Sequence, residues 1–183
     1  MKVWRVLMAL SFLLLGGCLV SFKEPLPAQQ AAPATLLGKW TSKNAWGEPL
    51  NLHLKRLPGN RYQAISNGNG NGQSRMRDIY EFTVARHGNR WYLSAAVPDR
   101  FGGHFALAGF ELNDQHELVL YSLDLEQINQ ALEQNTLRGQ SFSSDAGEGV
   151  LIDSPLSEVF AYLDDPANSD VFVEAARFQR AAK

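Results

Sequence analysis

The stretch Leu50-Asn51-Leu52-His53-Leu54-Lys55 decides the fold class. Its leucines alternate with polar residues, so an extended chain here has one apolar face and one wet face. Pro58-Gly59-Asn60 follows, and these residue types predict a tight turn into a second strand over residues 61–66. The two segments together predict an antiparallel β-hairpin.

The same alternation continues along the chain. Residues 80–84, 91–97, 105–112 and 118–123 each read as a strand, and short turns separate most of them. Short connections between successive strands are typical of an antiparallel meander and exclude βαβ units. Residues 105–112 are apolar on both faces, which predicts burial from both sides or one face that lines a cavity.

The hydrophobic period then changes to that of a helix. Asp124 is a suitable N-cap, and residues 125–132 place leucine and isoleucine on one face. Ser154 and Pro155 predict the cap and first turn of a second helix. Residues 171–180 fit either a last strand or a short helix. The sequence therefore predicts a mainly β protein with two C-terminal α-helices.

The first strand of the meander opens with Leu37-Gly38-Lys39-Trp40. This G-x-W pattern resembles the start of the lipocalin (calycin) superfamily. The resemblance, carried by Gly38 and Trp40, implies a lipocalin-like barrel or half-barrel. In that superfamily the tryptophan closes one end of the barrel, often under a basic side chain from a late strand. Arg138, Arg177 and Arg180 are the candidates for that role. The alternative interpretation is that Trp40 is an ordinary core residue of a strand.

The N-terminus has the layout of a secretory signal. Lys2 and Arg5 precede an apolar run over residues 6–15 that is shorter than the ~20 residues a membrane-spanning helix needs. The run ends in Leu15-Gly16-Gly17-Cys18, which resembles the lipobox of bacterial lipoproteins. An ordinary signal peptide followed by an incidental cysteine is the alternative.

The lipobox resemblance implies cleavage after residue 17 and acylation of Cys18 with diacylglycerol and palmitate. Each buried CH₂ of such chains contributes ~0.8 kcal/mol, so two or three chains hold a protein stably on a membrane. Leu19, rather than aspartate, follows the cysteine, which implies the outer membrane facing the periplasm. The sequence also resembles envelope lipoproteins of unknown function over residues 125–139 and 150–163, a likeness that carries no activity.

Three parts of the chain follow from these patterns. Residues 1–17 are the predicted signal peptide, residues 18–35 the lipidated cysteine with a Pro/Ala/Gln-rich tether, and residues 36–183 the β-rich globular domain. Pro25, Pro27 and Pro33 favour an extended spacer that lifts the domain off the membrane. A strap that packs along the domain is the alternative.

Composition excludes several functional classes. Among 183 residues, 17 lysines and arginines stand against 19 acids, which argues against a nucleic-acid partner. The single cysteine excludes an intramolecular disulfide and a multi-cysteine metal site. The four histidines have no metal-ligand spacing, and no serine lies in a nucleophile elbow. We therefore expect no catalysis, no cofactor and no metal.

Large aromatic residues are the remaining candidates for a site. They could line a cavity for an apolar ligand, or simply fill the core. The set is Trp40, Trp46, Tyr80, Phe82, Trp91, Phe105 and Phe110. The leading hypothesis is a non-enzymatic, lipid-anchored envelope protein that binds a small apolar ligand or an envelope component in a β-barrel. The alternative is a protein-protein interaction or assembly module of the outer membrane that uses a sheet edge or helix face. A hydrolase with a tertiary pair of carboxylates is the third possibility.

Overall fold

The computed structural model describes residues 19–43, 49–68, 77–145 and 147–182. Over these residues the chain forms eleven β-strands and two α-helices. In chain order they are β1 (Leu19–Phe22), β2 (Gly38–Lys43), β3 (Pro49–Leu57), β4 (Arg61–Gly68), β5 (Arg77–His87), β6 (Arg90–Ala96), β7 (Phe105–Leu112), β8 (Glu117–Leu123), α1 (Leu125–Glu133), β9 (Gly139–Ser144), β10 (Gly147–Ile152), α2 (Leu156–Asp164) and β11 (Phe172–Arg180). Short 3-10 turns lie at Ala34–Leu36, Asp99–Phe101 and Pro166–Val171.

Eight of the strands close into an antiparallel barrel. Its order is β2-β3-β4-β5-β6-β7-β8-β11, and β11 pairs back onto β2. The predicted mainly β, lipocalin-like architecture with two C-terminal helices is therefore confirmed. The C-terminal segment, which fitted a strand or a helix by sequence, is strand β11 and supplies the pairing that closes the barrel.

The remaining three strands form a sheet, here called the wing, that branches from β7. The second half of β7 (109–112) pairs with β8, whereas Phe105 and Ala106 pair with β1. Strand β1 runs parallel to β10, and β10 pairs antiparallel with β9. A strand edge can bond only one neighbour at each residue, so β7 divides its edge between the barrel and the wing.

Residues 23–37 pack against the barrel as a strap. Leu26 is only 2% exposed. Its amide donates to Ser94 Oγ (3.3 Å), and its carbonyl accepts from Thr83 Oγ1 (2.6 Å). The predicted free spacer over residues 18–35 is thus wrong for the described part, because the chain enters β1 at Leu19 and stays packed from there. The strap alternative is the correct one.

The strap then crosses one end of the barrel. Gln30 Oε1 accepts from the amide of Arg86 (2.8 Å), and the amide of Ala32 donates to the Tyr62 hydroxyl (2.8 Å). The strap therefore covers the barrel end at which β2 begins, which we call the closed end. The opposite end, where β6 leads into β7, is called the mouth.

The described residues form two hydrophobic cores. One lies inside the barrel, and the other lies among the wing, the helices and the outer face of β5–β7. In the second core α1 buries Ile128 and Ala131 and is capped as predicted, because Asp124 Oδ1 accepts from the amide of Gln127 (3.0 Å). The predicted Ser154 cap of α2 is wrong: Pro155 is the N-cap residue, and Ser154 Oγ accepts from the amide of Arg138 (2.7 Å).

Candidate functional site

The closed end of the barrel is sealed by Trp40 and Arg180. The Trp40 indole N–H donates to the carbonyl of Leu36 (2.9 Å), and the Arg180 guanidinium lies 3.9 Å from the Trp40 ring centroid. Arg180 also donates to the carbonyls of Leu37 (2.7 Å) and Thr35. Of the three predicted stacking candidates, the structure selects Arg180. Arg138 instead contacts Glu158, and Arg177 pairs with carboxylates of β8 and β11.

The packing of Arg180 over Trp40 also requires a glycine at position 38. Its φ is +118°, a backbone conformation that residues with a Cβ rarely adopt. A Cβ at this position would also lie 2.8 Å from Arg180 Nη1. The G-x-W pattern therefore places a glycine where the guanidinium passes and a tryptophan where it stacks.

Aromatic side chains fill the closed half of the barrel. Tyr62 stacks on Phe82 with centroids 5.6 Å apart, and Trp91 stacks on Phe110 at 5.9 Å. Trp40 and Phe110 are each 1% exposed. Four of the predicted cavity residues therefore belong to the packed barrel core. These four are Trp40, Phe82, Trp91 and Phe110.

The mouth half is lined by smaller side chains. Strand register places six aliphatic residues on the inner face there, and all six are partly exposed to solvent even though they point inward. Alanines in an inner layer leave volume that larger side chains would occupy. We call this surface the mouth cup; it consists of Leu52, Ala64, Leu93, Ala95, Ala106 and Leu120.

Tyr80 adds a polar group beside the cup. It lies on the inner face of β5 opposite Ala64 and is half-buried. The pKa of the Tyr80 phenol is raised to about 12, mainly by burial and also by the charge of Asp78, while the charge of Arg100 lowers it. The phenol is therefore neutral at physiological pH and can donate a hydrogen bond.

Two of the predicted cavity residues do not join this set. Phe105 points to the outside of the barrel, on the opposite face of β7 from Phe110. It pairs with Ala96, and Ala96 faces outward because its neighbour Ala95 faces inward. Trp46 lies outside the described residues, as does Cys18 with the lipobox.

The histidines are dispersed. His53 lies between inward-facing leucines of β3, and His104 and His116 occupy left-handed turn positions with φ of +63° and +59°. The His87 ring stacks on Phe160 with centroids 3.9 Å apart, and its Nδ1 lies 3.1 Å from Asp164. Within the described ranges, no three His, Cys, Asp or Glu side chains cluster as a metal site requires.

A second concave surface, the flank groove, lies beside the closed end. It is an open groove of about 740 Å³ between the strap, the β5–β6 turn and the end of α2. Arg90 lies in its wall, with its guanidinium 3.9 Å from the Phe172 ring and 5.0 Å from the Tyr121 ring. Sequence reasoning missed this cluster, because the three residues lie on different strands and share no local pattern.

Comparison of the chain with protein-family models, curated proteins and solved structures gave no match. None of the helices in the described part of the chain is both long and apolar enough to span a bilayer.

Proposed function

We propose that this chain is a lipid-anchored cell-envelope protein that binds a small apolar molecule in the mouth cup without catalysis. The observation that carries the ligand part is the partial exposure of six inward-facing aliphatic residues at one end of a barrel whose other end is packed with aromatics. An apolar molecule that covered these side chains would remove their surface from water, which is favourable by ~25 cal/mol per Å².

Tyr80 fits the same ligand class. A neutral phenol beside an aliphatic cup offers one hydrogen-bond donor to the polar end of an otherwise apolar molecule. The ligand we propose therefore has an apolar body and one oxygen-bearing end. Binding in the mouth cup does not require a charged group on the ligand.

The ligand proposal is tested by filling the cup. N-phenyl-1-naphthylamine, a neutral apolar fluorophore, should bind the wild-type protein saturably. Ala95→Phe places a ring in the cup and should weaken binding at least about tenfold, or 1.4 kcal/mol. Ala161→Phe, on the exposed face of α2, is the matched control and should bind as the wild type does.

Ala64→Leu provides a milder filling variant if Ala95→Phe destabilises the barrel, and thermal melts show which variants fold. Equal probe binding by the wild type, both cup variants and the control would show that the fluorophore binds elsewhere and would overturn the proposal.

The anchoring part rests on the sequence Leu15-Gly16-Gly17-Cys18. Cys18→Ser should abolish incorporation of labelled palmitate, because Cys18 is the sole thiol of the chain. It should also leave an uncleaved precursor, because cleavage at a lipobox follows acylation of the cysteine. Ser11→Ala, inside the apolar run, should be labelled and processed normally. On a density gradient the native protein should travel with the outer membrane. Unchanged labelling of Cys18→Ser would refute the anchor.

A second candidate function is an interaction module without a ligand. The wing favours it, because its last strand, β9, lies at an edge of the sheet, where a partner chain can add a strand.

A further inference from the structure

The guanidinium of Arg90, in the wall of the flank groove, is held by aromatic rings but has no partner of opposite charge. It lies 3.9 Å from the centroid of the Phe172 ring and 5.0 Å from that of the Tyr121 ring. Among the described residues, no carboxylate oxygen lies within 4.0 Å of its nitrogens, and no atom accepts a hydrogen bond from them. Its five N–H groups therefore depend on water or on a ligand for their acceptors.

Gly109 makes room for the Arg90 side chain on the outer face of the barrel. A Cβ at position 109 would lie 3.2 Å from Arg90 Cδ and 3.6 Å from Tyr121 Cβ. Strand register explains these contacts, because Gly109 pairs with Tyr92 on one side and with Tyr121 on the other. Arg90 lies two residues before Tyr92 on β6, so both side chains leave the same face of the strand. The guanidinium is thus placed before a ligand arrives, which lowers the cost of ordering it on binding.

Three carboxylates line the same groove, and two of them make no ion pair with a described residue. Glu111 Oε2 accepts a hydrogen bond from the Tyr121 hydroxyl (3.4 Å), and Asp165 Oδ1 accepts one from a backbone amide of the turn that follows it (2.9 Å). The third carboxylate, that of Asp164, lies 3.1 Å from His87 Nδ1. Over the described residues, the wall of the groove therefore carries one unpaired cation and two unpaired carboxylates, held apart from one another.

The opposite charges act on the same two phenols. The pKa of Tyr92 is raised to about 12, mainly by burial and also by the charge of Asp164, while the charge of Arg90 lowers it. The pKa of Tyr121 is raised first by burial and then by Glu111, and Arg90 again opposes the rise. The cation and the acidic side of the groove are therefore close enough for one small molecule to reach both.

We propose that the flank groove binds a small zwitterion, with an oxyanion on the Arg90 guanidinium and an ammonium group toward the carboxylates of Glu111 and Asp165. A guanidinium donates two parallel N–H groups to a carboxylate or phosphate, which makes such pairs strong. A ligand with a negative charge alone would bring that charge toward two unpaired carboxylates, which disfavours its binding. The groove volume of about 740 Å³ lies within the ~300–1,000 Å³ range of small-molecule sites, so a dipeptide or a phosphoethanolamine headgroup fits it by size.

The inference does not rest on the mouth cup. Arg90 and Glu111 leave the outer face of the barrel, whereas the cup lines its inner face. Failure at one of these sites leaves the proposal for the other unchanged.

Titration with zwitterions and with their singly charged counterparts tests the ligand class. The zwitterions are alanyl-alanine and glycerophosphoethanolamine. The counterparts are N-acetyl-alanyl-alanine and glycerol 3-phosphate, which keep the oxyanion and lack the ammonium group. At least one zwitterion should shift the NMR resonances of the groove amides at 88–92 saturably and bind at least tenfold more tightly than its counterpart. The zwitterion that binds identifies the oxyanion as the carboxylate of a peptide or the phosphate of a lipid headgroup.

Substitutions test which side chains hold the two charges. Arg90→Gln should weaken binding of that zwitterion at least tenfold, and Arg90→Lys should recover only part of the loss, because an ammonium cannot donate in parallel. The double variant Glu111→Gln/Asp165→Asn should lose the preference for the zwitterion, because its amides can still accept the present hydrogen bonds but carry no charge. Arg56→Gln, at an exposed arginine near the end of β3, is the matched control and should bind as the wild type does.

Circular dichroism shows which variants fold, and Arg90→Lys keeps the test open if Arg90→Gln does not fold. Absence of binding by both zwitterions at millimolar concentration would overturn the proposal. Equal binding of a zwitterion and its singly charged counterpart by the wild type would reject the zwitterion in favour of a simple anion. Equal binding by the wild type and Arg90→Gln would place the ligand outside the groove and would also overturn the proposal.

Discussion

The Arg180 guanidinium lies 3.9 Å from the centroid of the Trp40 ring, and the two residues are also direct partners in the β11–β2 ladder. This ladder joins the last strand of the chain to the first strand of the barrel. The ladder contains two residue pairs, Gln179 with Thr41 and Arg180 with Trp40, and the amide of Ala181 adds one bond to the carbonyl of Lys39 (3.0 Å). The side-chain stack therefore reinforces the shortest seam of the barrel.

Arg180→Ala should lower the free energy of unfolding by about 2 kcal/mol. The variant removes a cation–π contact worth ~0.5–2 kcal/mol and leaves the carbonyls of Thr35 and Leu37 without their charged donor. Urea denaturation measures the change. Arg180→Lys should recover only part of it, because an ammonium cannot stack and donate to both carbonyls at once.

Arg61→Ala is the control for this series. Arg61 makes an exposed ion pair with Glu81 at 3.4 Å, which should contribute at most ~1 kcal/mol. A loss at Arg180 no larger than that at Arg61 would show that the stack does not stabilise the seam.

Gly38→Ala should destabilise the fold more than Gly59→Ala. Both glycines have positive φ, which costs an alanine ~1–2 kcal/mol. At Gly38 the new methyl would also lie 2.8 Å from Arg180 Nη1, whereas at Gly59 no atom lies within 4 Å. Thermal unfolding of the pair measures the difference, and equal melting temperatures would contradict the contact with Arg180.

Asp124→Ala should cost about 1 kcal/mol, since its carboxylate caps α1 by accepting from the Gln127 amide. Glu133→Ala, at the exposed other end of the same helix, should change stability by less than ~0.5 kcal/mol. Chemical denaturation measures the free energy of unfolding of both variants. Similar losses in the two would show that the Asp124 cap does not stabilise the helix.

Alkaline pH should weaken the fold through Tyr92. Burial raises the pKa of Tyr92 to about 12 from 10.0, and the nearby charge of Asp164 adds to the effect. The unfolded chain then loses this proton first, so the free energy of unfolding should stay level below pH 10 and fall between pH 10 and about 12.

Tyr92→Phe should make that alkaline fall shallower. Tyr80 has a pKa raised to about 12 in the same way and keeps part of the slope in this variant. Unfolding measured at a series of pH values, together with tyrosinate absorbance, checks the effect. A slope that is the same in the wild type and in Tyr92→Phe would show that Tyr92 titrates normally in the folded state.

The sequence predicted the features that depend on neighbours along the chain. The alternating leucines Leu50, Leu52 and Leu54 all face the interior of the barrel from β3. Successive side chains of a strand point to opposite faces, so every second residue shares one face. Asp124 caps its helix because the acceptor and the amide lie three residues apart. Gly38 and Trp40 suggested the closed end, although not which arginine seals it.

The features it missed depend on partners far away. The strap reads as a spacer because only two of its residues, Leu26 and Leu36, are deeply buried, and because its polar partners lie far along the chain. Ser94, for example, is 68 positions from Leu26. Ser154 looked like a cap, yet its hydroxyl bonds to Arg138, which only the wing brings near.

By itself, then, the sequence determined the strand-rich class, the two helices and the resemblance to a lipobox, all of which are local patterns. The tertiary structure alone decided that the barrel closes through Arg180 and that the chain becomes a strap. It also decided that aromatics fill the closed half of the barrel, while leucines, alanines and Tyr80 line the mouth half. The physical reason is that periodicity fixes which face of a strand is apolar, whereas strand register fixes which side chains meet on that face.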